Sequence, residues 1–159
     1  MASAAPGVAP RWRVERAGSD DAAAIVALGV GALARGWTRA ALEAELSRPE
    51  ASLWVARAAA PDAAPPVGFL LTRLGAGELQ VLLLAVAADA RRRGAGSAML
   101  EVALGAARRA GARVVHLEVR APNRVAQRFY LRHGFEAVGR RHRYYTGGED
   151  AVLMSRELV

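Results

Sequence analysis

An apolar run ends at Val86 and a helical pattern occupies residues 97–109; between them stands Arg91-Arg92-Arg93-Gly94-Ala95-Gly96. A buried strand that passes through a glycine-bearing turn into a helix aims several free backbone N–H groups, and the positive end of the helix, at one point. That point suits a phosphate or pyrophosphate. Gly94 and Gly96 let a ligand approach the backbone, because no Cβ stands in the way. The turn is not a nucleoside triphosphate loop, since no Gly-Lys-Ser/Thr closes it. Nor is it a dinucleotide fingerprint, which needs a third glycine and an acidic residue ending the next strand. An ordinary structural turn would use the same residues.

Further groups able to move protons or bind a polar substrate follow: Glu118, Asn123, Tyr130, the pair Tyr144-Tyr145 and the pair Glu149-Asp150. Each also has an ordinary use. Glu118 suits a surface carboxylate paired with an arginine, Asn123 a helix N-cap, and Tyr130 core packing beside Phe129. Tyr144 to Asp150 would serve as a polar hairpin. His116, His133 and His142 are far apart and no carboxylates join them at a metal-like spacing, so no metal is expected.

The elements that must carry these groups can be read from periodicity. Alternation over Trp12–Arg16 suits a first strand, and Ser19 is a plausible N-cap with Asp20 and Asp21 in the first helical turn. The face of that helix runs through Ile25 and Leu28, and residues 29–36, bounded by glycines, loosen it. Thr38 caps a second helix with Leu42 and Leu46 on one face, stopped by Pro49. Residues 52–57 and 67–73 read as a hairpin around a proline-bearing loop, and Glu78–Val86 as the long central strand. On the helix after the turn, Met99, Leu100, Ala103 and Ala107 face inward and Gly111 closes it. Residues 113–120 alternate, with Val115, Leu117 and Val119 on one face and His116 and Glu118 on the other. A helix follows from Pro122-Asn123 to His133, with Gly134 as its cap, and then two strands, 135–139 and Ala151–Glu157. The order implies a mixed sheet with helices on both faces, and the ligand near the C-terminal ends of the strands at 78–86 and 113–120.

Composition bounds the class. The 159 residues are 53% apolar or aromatic, enough for one globular domain, expected over residues 11–159 with residues 1–10 as a flexible tail. No apolar run approaches the ~18–20 residues that span a bilayer, and the start does not read as a signal peptide. With no cysteine there is no disulfide framework or thiolate site; a cytoplasmic location is the default expectation. The net charge of +7 comes from 22 basic residues, all arginine, and suits a polyanionic ligand or proximity to RNA. No aromatic stacking platform of the single-strand-binding kind accompanies it, so direct nucleic-acid binding is not expected.

The turn resembles the R/Q-x-x-G-x-G/A element of the GCN5-related N-acetyltransferase superfamily (GNAT). The segments L-L-L-A-V-A-A-D-A-R-R-R-G-A-G, L-E-V-R-A-P-N-R-V-A-Q-R-F-Y-L-R-H-G-F and R-R-H-R-Y-Y-T-G-G-E-D-A-V-L-M extend the likeness over residues 81–154. They resemble the RimI-like branch, the bacterial ribosomal-protein alanine N-acetyltransferases. The resemblance implies an α+β fold of three layers, α/β/α, with a mixed, mostly antiparallel sheet of six or seven strands and about four helices. It implies direct acetyl transfer from acetyl-CoA to an amine, without an acyl-enzyme. Arg91, Arg92, Arg93, Gly94, Ala95, Gly96 and Ser97 would hold the pyrophosphate. The backbone of Leu84, Ala85 and Val86 would lie along the acyl group and polarise its carbonyl. Asn123 would contact the pantetheine region, Tyr130 would protonate the leaving thiolate, and Glu118 would be the general base.

Many superfamily members carry their base on the preceding strand, where this chain has Gln80, which cannot serve; Glu78, two residues away on the same face, is the reserve. Trp37, Tyr144, Tyr145, Glu149 and Asp150 fall where the branch forms its peptide groove, the two acids being able to bind an N-terminal ammonium. The branch often has proline before the tryptophan; here it is Gly36. The acceptor implied is a protein N-terminus, alanine of a small-subunit ribosomal protein. The alternatives are a GNAT enzyme acting on lysine, a polyamine or an antibiotic, and a module that binds acetyl-CoA without catalysis. Oligomeric state is not readable.

Overall fold

The computed structural model describes residues 10–33 and 38–159. Its elements run β1 (Trp12–Arg16), α1 (Ala22–Leu33), α2 (Arg39–Leu46), β2 (Ala51–Ala58), β3 (Pro66–Gly75), β4 (Glu78–Val86), α3 (Ala95–Arg109), β5 (Val114–Arg120), α4 (Arg124–Arg132), β6 (Glu136–Arg141) and β7 (Ala151–Glu157). The strands form one seven-stranded sheet in the order β1-β2-β3-β4-β5-β7-β6. Every neighbouring pair is antiparallel except β4–β5. The seven strands and four helices agree with the expected α+β architecture. Of the expected tail, residues 1–10, only Pro10 is among the described residues, and Trp37 also lies outside them.

Alternation along the strands feeds two cores. Leu70, Leu79, Val81, Val115, Leu117 and Val119 pack against Met99, Leu100, Ala103, Leu104 and Ala107 of α3, together with Tyr130 and Phe135. Phe69 and Leu71, the residues on either side of Leu70, point the other way and join Val55, Ile25 of α1 and Leu42 of α2. The period of two thus sends neighbouring residues of one strand to opposite faces, and α1–α2 cover one face while α3–α4 cover the other.

Several expected boundaries move, each for a local reason. Ser19 does not cap α1: residues Ser19–Asp21 form a 3-10 turn in which Asp21 Oδ2 accepts from the Gly18 N–H at 2.8 Å. α3 starts at Ala95, two residues before the expected 97, because Gly94 takes the left-handed φ of +89° as its N-cap. β6 begins at Glu136 and runs to Arg141, past the expected 139. Thr38 and Asn123 cap as their types suggest, accepting from Ala41 N at 3.0 Å and Ala126 N at 3.1 Å.

Candidate active site

The strongest local irregularity is a fork. β4 and β5 pair in parallel over four rungs, from Glu78↔Val114 to Val81↔Leu117, and no further. A bulge falls at this point on the other side of β4, where Leu71↔Leu83 gives way to Thr72↔Val81. Bulges bend the strand that carries them, so β4 turns away from β5. β3 still pairs with β4 up to Gly68↔Val86, and β7 still pairs with β5 up to Arg120↔Ala151. Ala87 N donates to Val67 O at 2.7 Å, so position 87 faces β3. By antiparallel alternation the N–H groups of Leu84 and Val86 point into the fork instead. The Val86 carbonyl is occupied by Arg91 Nε at 3.0 Å.

The glycine turn lies at the mouth of the fork. Arg92 and Gly94 both have positive φ, +59° and +89°, and the first intrahelical bond of α3 is Ala98 N to Gly94 O at 2.9 Å. The N–H groups of Ala95, Gly96 and Ser97 therefore stand at the open end of the helix with no helical acceptor. Trp12 Nε1 donates to Arg93 O at 2.7 Å and fixes the turn from β1, at the far edge of the sheet. A Cβ on Gly96 would meet the Phe129 ring at 3.5 Å, so α4 packs closely on the start of α3. Arg91, Arg92 and Arg93 are exposed. Orphan N–H groups, the helix dipole and three exposed guanidinium groups fit the diphosphate of a coenzyme A, and the free Leu84 and Val86 N–H groups fit an extended amide-bearing arm in the fork. Asn123 stands on the other prong, but its side-chain oxygen is taken as the α4 cap.

The two proton-transfer candidates lie on opposite sides of the sheet. Tyr130 is 7% exposed and belongs to the core under α3 and α4, its ring edge-on to Phe129 and Phe135. Burial pushes the phenol's pKa far above its ordinary 10, so it keeps its proton throughout the neutral range. Glu118 is the first β5 residue past the fork, and its side chain lines a cavity of about 400 Å³ on the α1–α2 side. Gln80, His116, Glu78, Arg73, Val138 and Arg141 are also in its wall. Glu118 Oε1 lies 3.2 Å from Arg141 Nε. The Tyr144 hydroxyl bonds the same carboxylate; that bond, then the Glu118 charge and burial, raises the phenol's pKa against the opposing Arg141 charge.

The remaining groove candidates stand close by but are differently employed. Glu149 Oε2 accepts from Arg120 Nη1 at 2.8 Å, and the Arg120 guanidinium lies 4.0 Å over the Tyr145 ring. Asp150 accepts from Arg140 Nε at 2.7 Å and from the Arg143 N–H at 2.9 Å, with His142 Nδ1 at 3.0 Å. Both acids thus have internal cations, and Asp150 closes the β6–β7 loop; neither presents a bare carboxylate to an ammonium. Sequence reasoning missed Arg141, the partner of Glu118, because the strand expected to end at 139 runs on to Arg141. It also missed Gly68, where a Cβ would come within 2.8 Å of Ala85 O, 3.0 Å of Met99 Cε and 3.2 Å of Val86 Cγ2. Among the described residues no helix is long and apolar enough to cross a membrane.

Comparison with known proteins gives a family and a fold. A model described as the acetyltransferase (GNAT) family matches residues 23–135. The chain is 38% identical over 90 residues to the ribosomal protein bS18-alanine N-acetyltransferase of Escherichia coli, covering 55% of this chain and 61% of that one. It is 38% identical over 126 residues to an uncharacterised protein of Mycobacterium leprae, covering 76% of this chain but 33% of the relative. The chain thus spans between a third and about three fifths of the curated relatives it matches. Among solved structures, Ard1 from Thermoplasma volcanium superposes with a TM-score of 0.82 at 28% identity, covering 94% of this chain and 99% of that one.

Proposed function

The chain belongs to the GNAT acetyltransferase family, and on that premise we propose that it transfers acetyl to the α-amine of a polypeptide N-terminus, alanine of a small-subunit ribosomal protein in the first instance. The observation that carries the reading is the disposition about the fork: a carboxylate, Glu118, opens onto a cavity on one face, while a protonated phenol, Tyr130, is buried on the other. When bound, acetyl-CoA supplies the acetyl group as a thioester. Arg91, Arg92, Arg93, Gly94, Ala95, Gly96 and Ser97 would hold its diphosphate, and Leu84, Ala85, Val86 and Asn123 would flank its arm.

Each remaining requirement falls to a residue of the chain. The Val86 N–H stabilises charge developing on the carbonyl oxygen. Glu118 accepts a proton from the incoming ammonium on the cavity side, and Tyr130 gives a proton to the departing sulfur on the other. The fork holds donor and acceptor in register, which removes much of the entropic barrier. An α-amine with a pKa of ~7.7–8.0 is roughly a quarter neutral near pH 7.4, against about a thousandth for a lysine amine at ~10.4. A carboxylate already shared with Arg141 and Tyr144 therefore suffices for an N-terminus. The name of the E. coli relative supports alanine as the first residue, and Tyr144 and Tyr145 border the route by which it would reach Glu118.

The test is incubation with acetyl-CoA and peptides that begin with alanine, followed by mass spectrometry of the product. The α-amine should be acetylated, and Glu118→Gln should lower turnover ~10²–10⁴-fold while cofactor affinity stays intact. Acetylation restricted to internal lysines or to small polyamines would refute the N-terminal reading.

A further inference from the structure

The turn between β4 and α3 is tied down at two points. Arg91 Nε donates to Val86 O at 3.0 Å, which closes the start of the turn onto the end of β4. Trp12 Nε1 donates to Arg93 O at 2.7 Å, which ties its end to β1. Between the ties Arg92 holds φ +59°, a conformation that side chains rarely adopt, and Gly94 beyond them holds φ +89°. Arg91, Arg92, Arg93 and Gly94 are all exposed, so packing does little to choose their conformation. The register brings Trp12 to this place. Trp12 opposes Ala58, Arg57 opposes Pro66 and Gly68 opposes Val86, so the start of β1 lies at the same end of the sheet as the end of β4. The Trp12 ring packs against the core beneath α3, away from the Glu118 cavity on the α1–α2 side. In a trans peptide the C=O and the N–H point in opposite directions. With the Arg93 oxygen turned to the indole, the Gly94 N–H of the same plane points away from β1. A flip of that plane exchanges the two groups. Glycine accepts either sign of φ, so the residue itself does not prevent the flip. In the flipped state a carbonyl oxygen stands where the N–H stood, and its partial negative charge repels a diphosphate.

We propose that Trp12 is a positioning residue for acetyl-CoA: its indole N–H selects the orientation of the 93–94 peptide in which the turn offers the diphosphate a donor rather than an acceptor. The inference rests on the reading of this turn as the diphosphate site. Trp12 acts through the Arg93 oxygen and not on any reacting atom. A binding-competent state that is only partly populated weakens the apparent affinity by its fraction. Loss of the indole N–H therefore falls on the donor substrate and leaves the acceptor side alone.

The experiment uses the full chain and Trp12→Phe, which keeps an aromatic ring against α3 and removes the donor. Calorimetry with CoA should show Kd raised about 3- to 10-fold, the worth of one net hydrogen bond. KM for acetyl-CoA should rise in step, while kcat at saturating acetyl-CoA and KM for an alanine-initiated peptide keep their wild-type values. The chain has three tryptophans. In nitrogen-15 NMR of the wild type, the indole resonance that Trp12→Phe removes should shift when CoA is added. An unchanged Kd for CoA in Trp12→Phe would overturn the proposal. So would a Trp12 indole resonance that CoA leaves in place, or a fall in kcat with no change in KM for acetyl-CoA. Gly94→Val separates this inference from the reading beneath it. Wild-type CoA affinity in Gly94→Val would remove the turn from the site, and the proposal with it. Weakened binding in Gly94→Val beside wild-type binding in Trp12→Phe would overturn the role of Trp12 alone.

Discussion

Replacing Gly68 with alanine adds one methyl group at the point where β3, the end of β4 and α3 meet. The new Cβ would stand 2.8 Å from the Ala85 carbonyl oxygen, 3.0 Å from Met99 Cε and 3.2 Å from Val86 Cγ2. The methionine methyl is the end of a flexible side chain and can swing aside. The Ala85 oxygen is backbone and cannot. Carbon–oxygen contacts settle near 3.3 Å or beyond, so β3 and β4 must part by about 0.5 Å. Overpacking of this kind costs about 1–3 kcal/mol, which for a domain of this size lowers Tm by roughly 2–12 °C. The displaced segment carries the Val86 N–H that faces the fork, and a misplacement approaching 1 Å can cost ~10²-fold in rate. The expected outcome is a lower Tm by circular dichroism, together with a fall of roughly 10- to 100-fold in kcat/KM for acetyl-CoA. Gly105→Ala, whose Cβ would meet nothing closer than Arg109 Nη1 at 3.4 Å, should leave both unchanged or raise Tm slightly, since alanine favours helix. A Gly68→Ala protein with wild-type Tm and wild-type kinetics would show that β4 yields freely there and that its position does not set the site.

Tyr130→Phe should lower turnover by at least 10-fold with acetyl-CoA affinity and Tm close to wild type. The raised phenol pKa also means that no alkaline loss of activity from Tyr130 should occur near pH 10; unchanged turnover in the phenylalanine variant would leave the proton to water. Glu45 has its pKa lowered by the Arg73 hydrogen bond, against burial and with help from the Arg73 and Arg48 charges. A lowered carboxylate contributes stability in full above its ordinary 4.5 and loses it as pH falls toward the native value. Glu45→Gln should therefore reduce Tm at pH 7 and narrow the gap to wild type below pH 4; a gap independent of pH would refute the pairing.

What could be read from the chain, and what could not, divides by range. Val115, Leu117 and Val119 announced the buried face of β5 because a strand's period of two is local, and they are 0%, 3% and 6% exposed. Gly111 and Gly134 stand at φ +87° and +78°, as helix-ending glycines do. The start of α3 is not legible locally because Gly94 and Gly96 look like turn residues, whereas Gly96 sits in the first helical turn under Phe129. The fates of Glu149 and Asp150 were beyond reach for a different reason. With 22 arginines in the chain, nothing local selects Arg120 for one and Arg140 for the other; the strand register does. Gly68 gave no signal at all, since its constraint comes from an oxygen seventeen residues further on.

The fork also has a historical meaning. Because successive β5 residues face different compartments, Val115, Leu117 and Val119 answer to the core beneath the donor, while His116, Glu118 and Arg120 answer to whatever arrives on the other side. A lineage can therefore rewrite positions 116 and 120 on either side of Glu118, and the β6–β7 loop with them, without disturbing the machinery that handles the donor. Divergence of clientele under a fixed carrier is the outcome such an arrangement favours, and interleaved conserved and drifting positions along β5 are the trace it should leave among descendants.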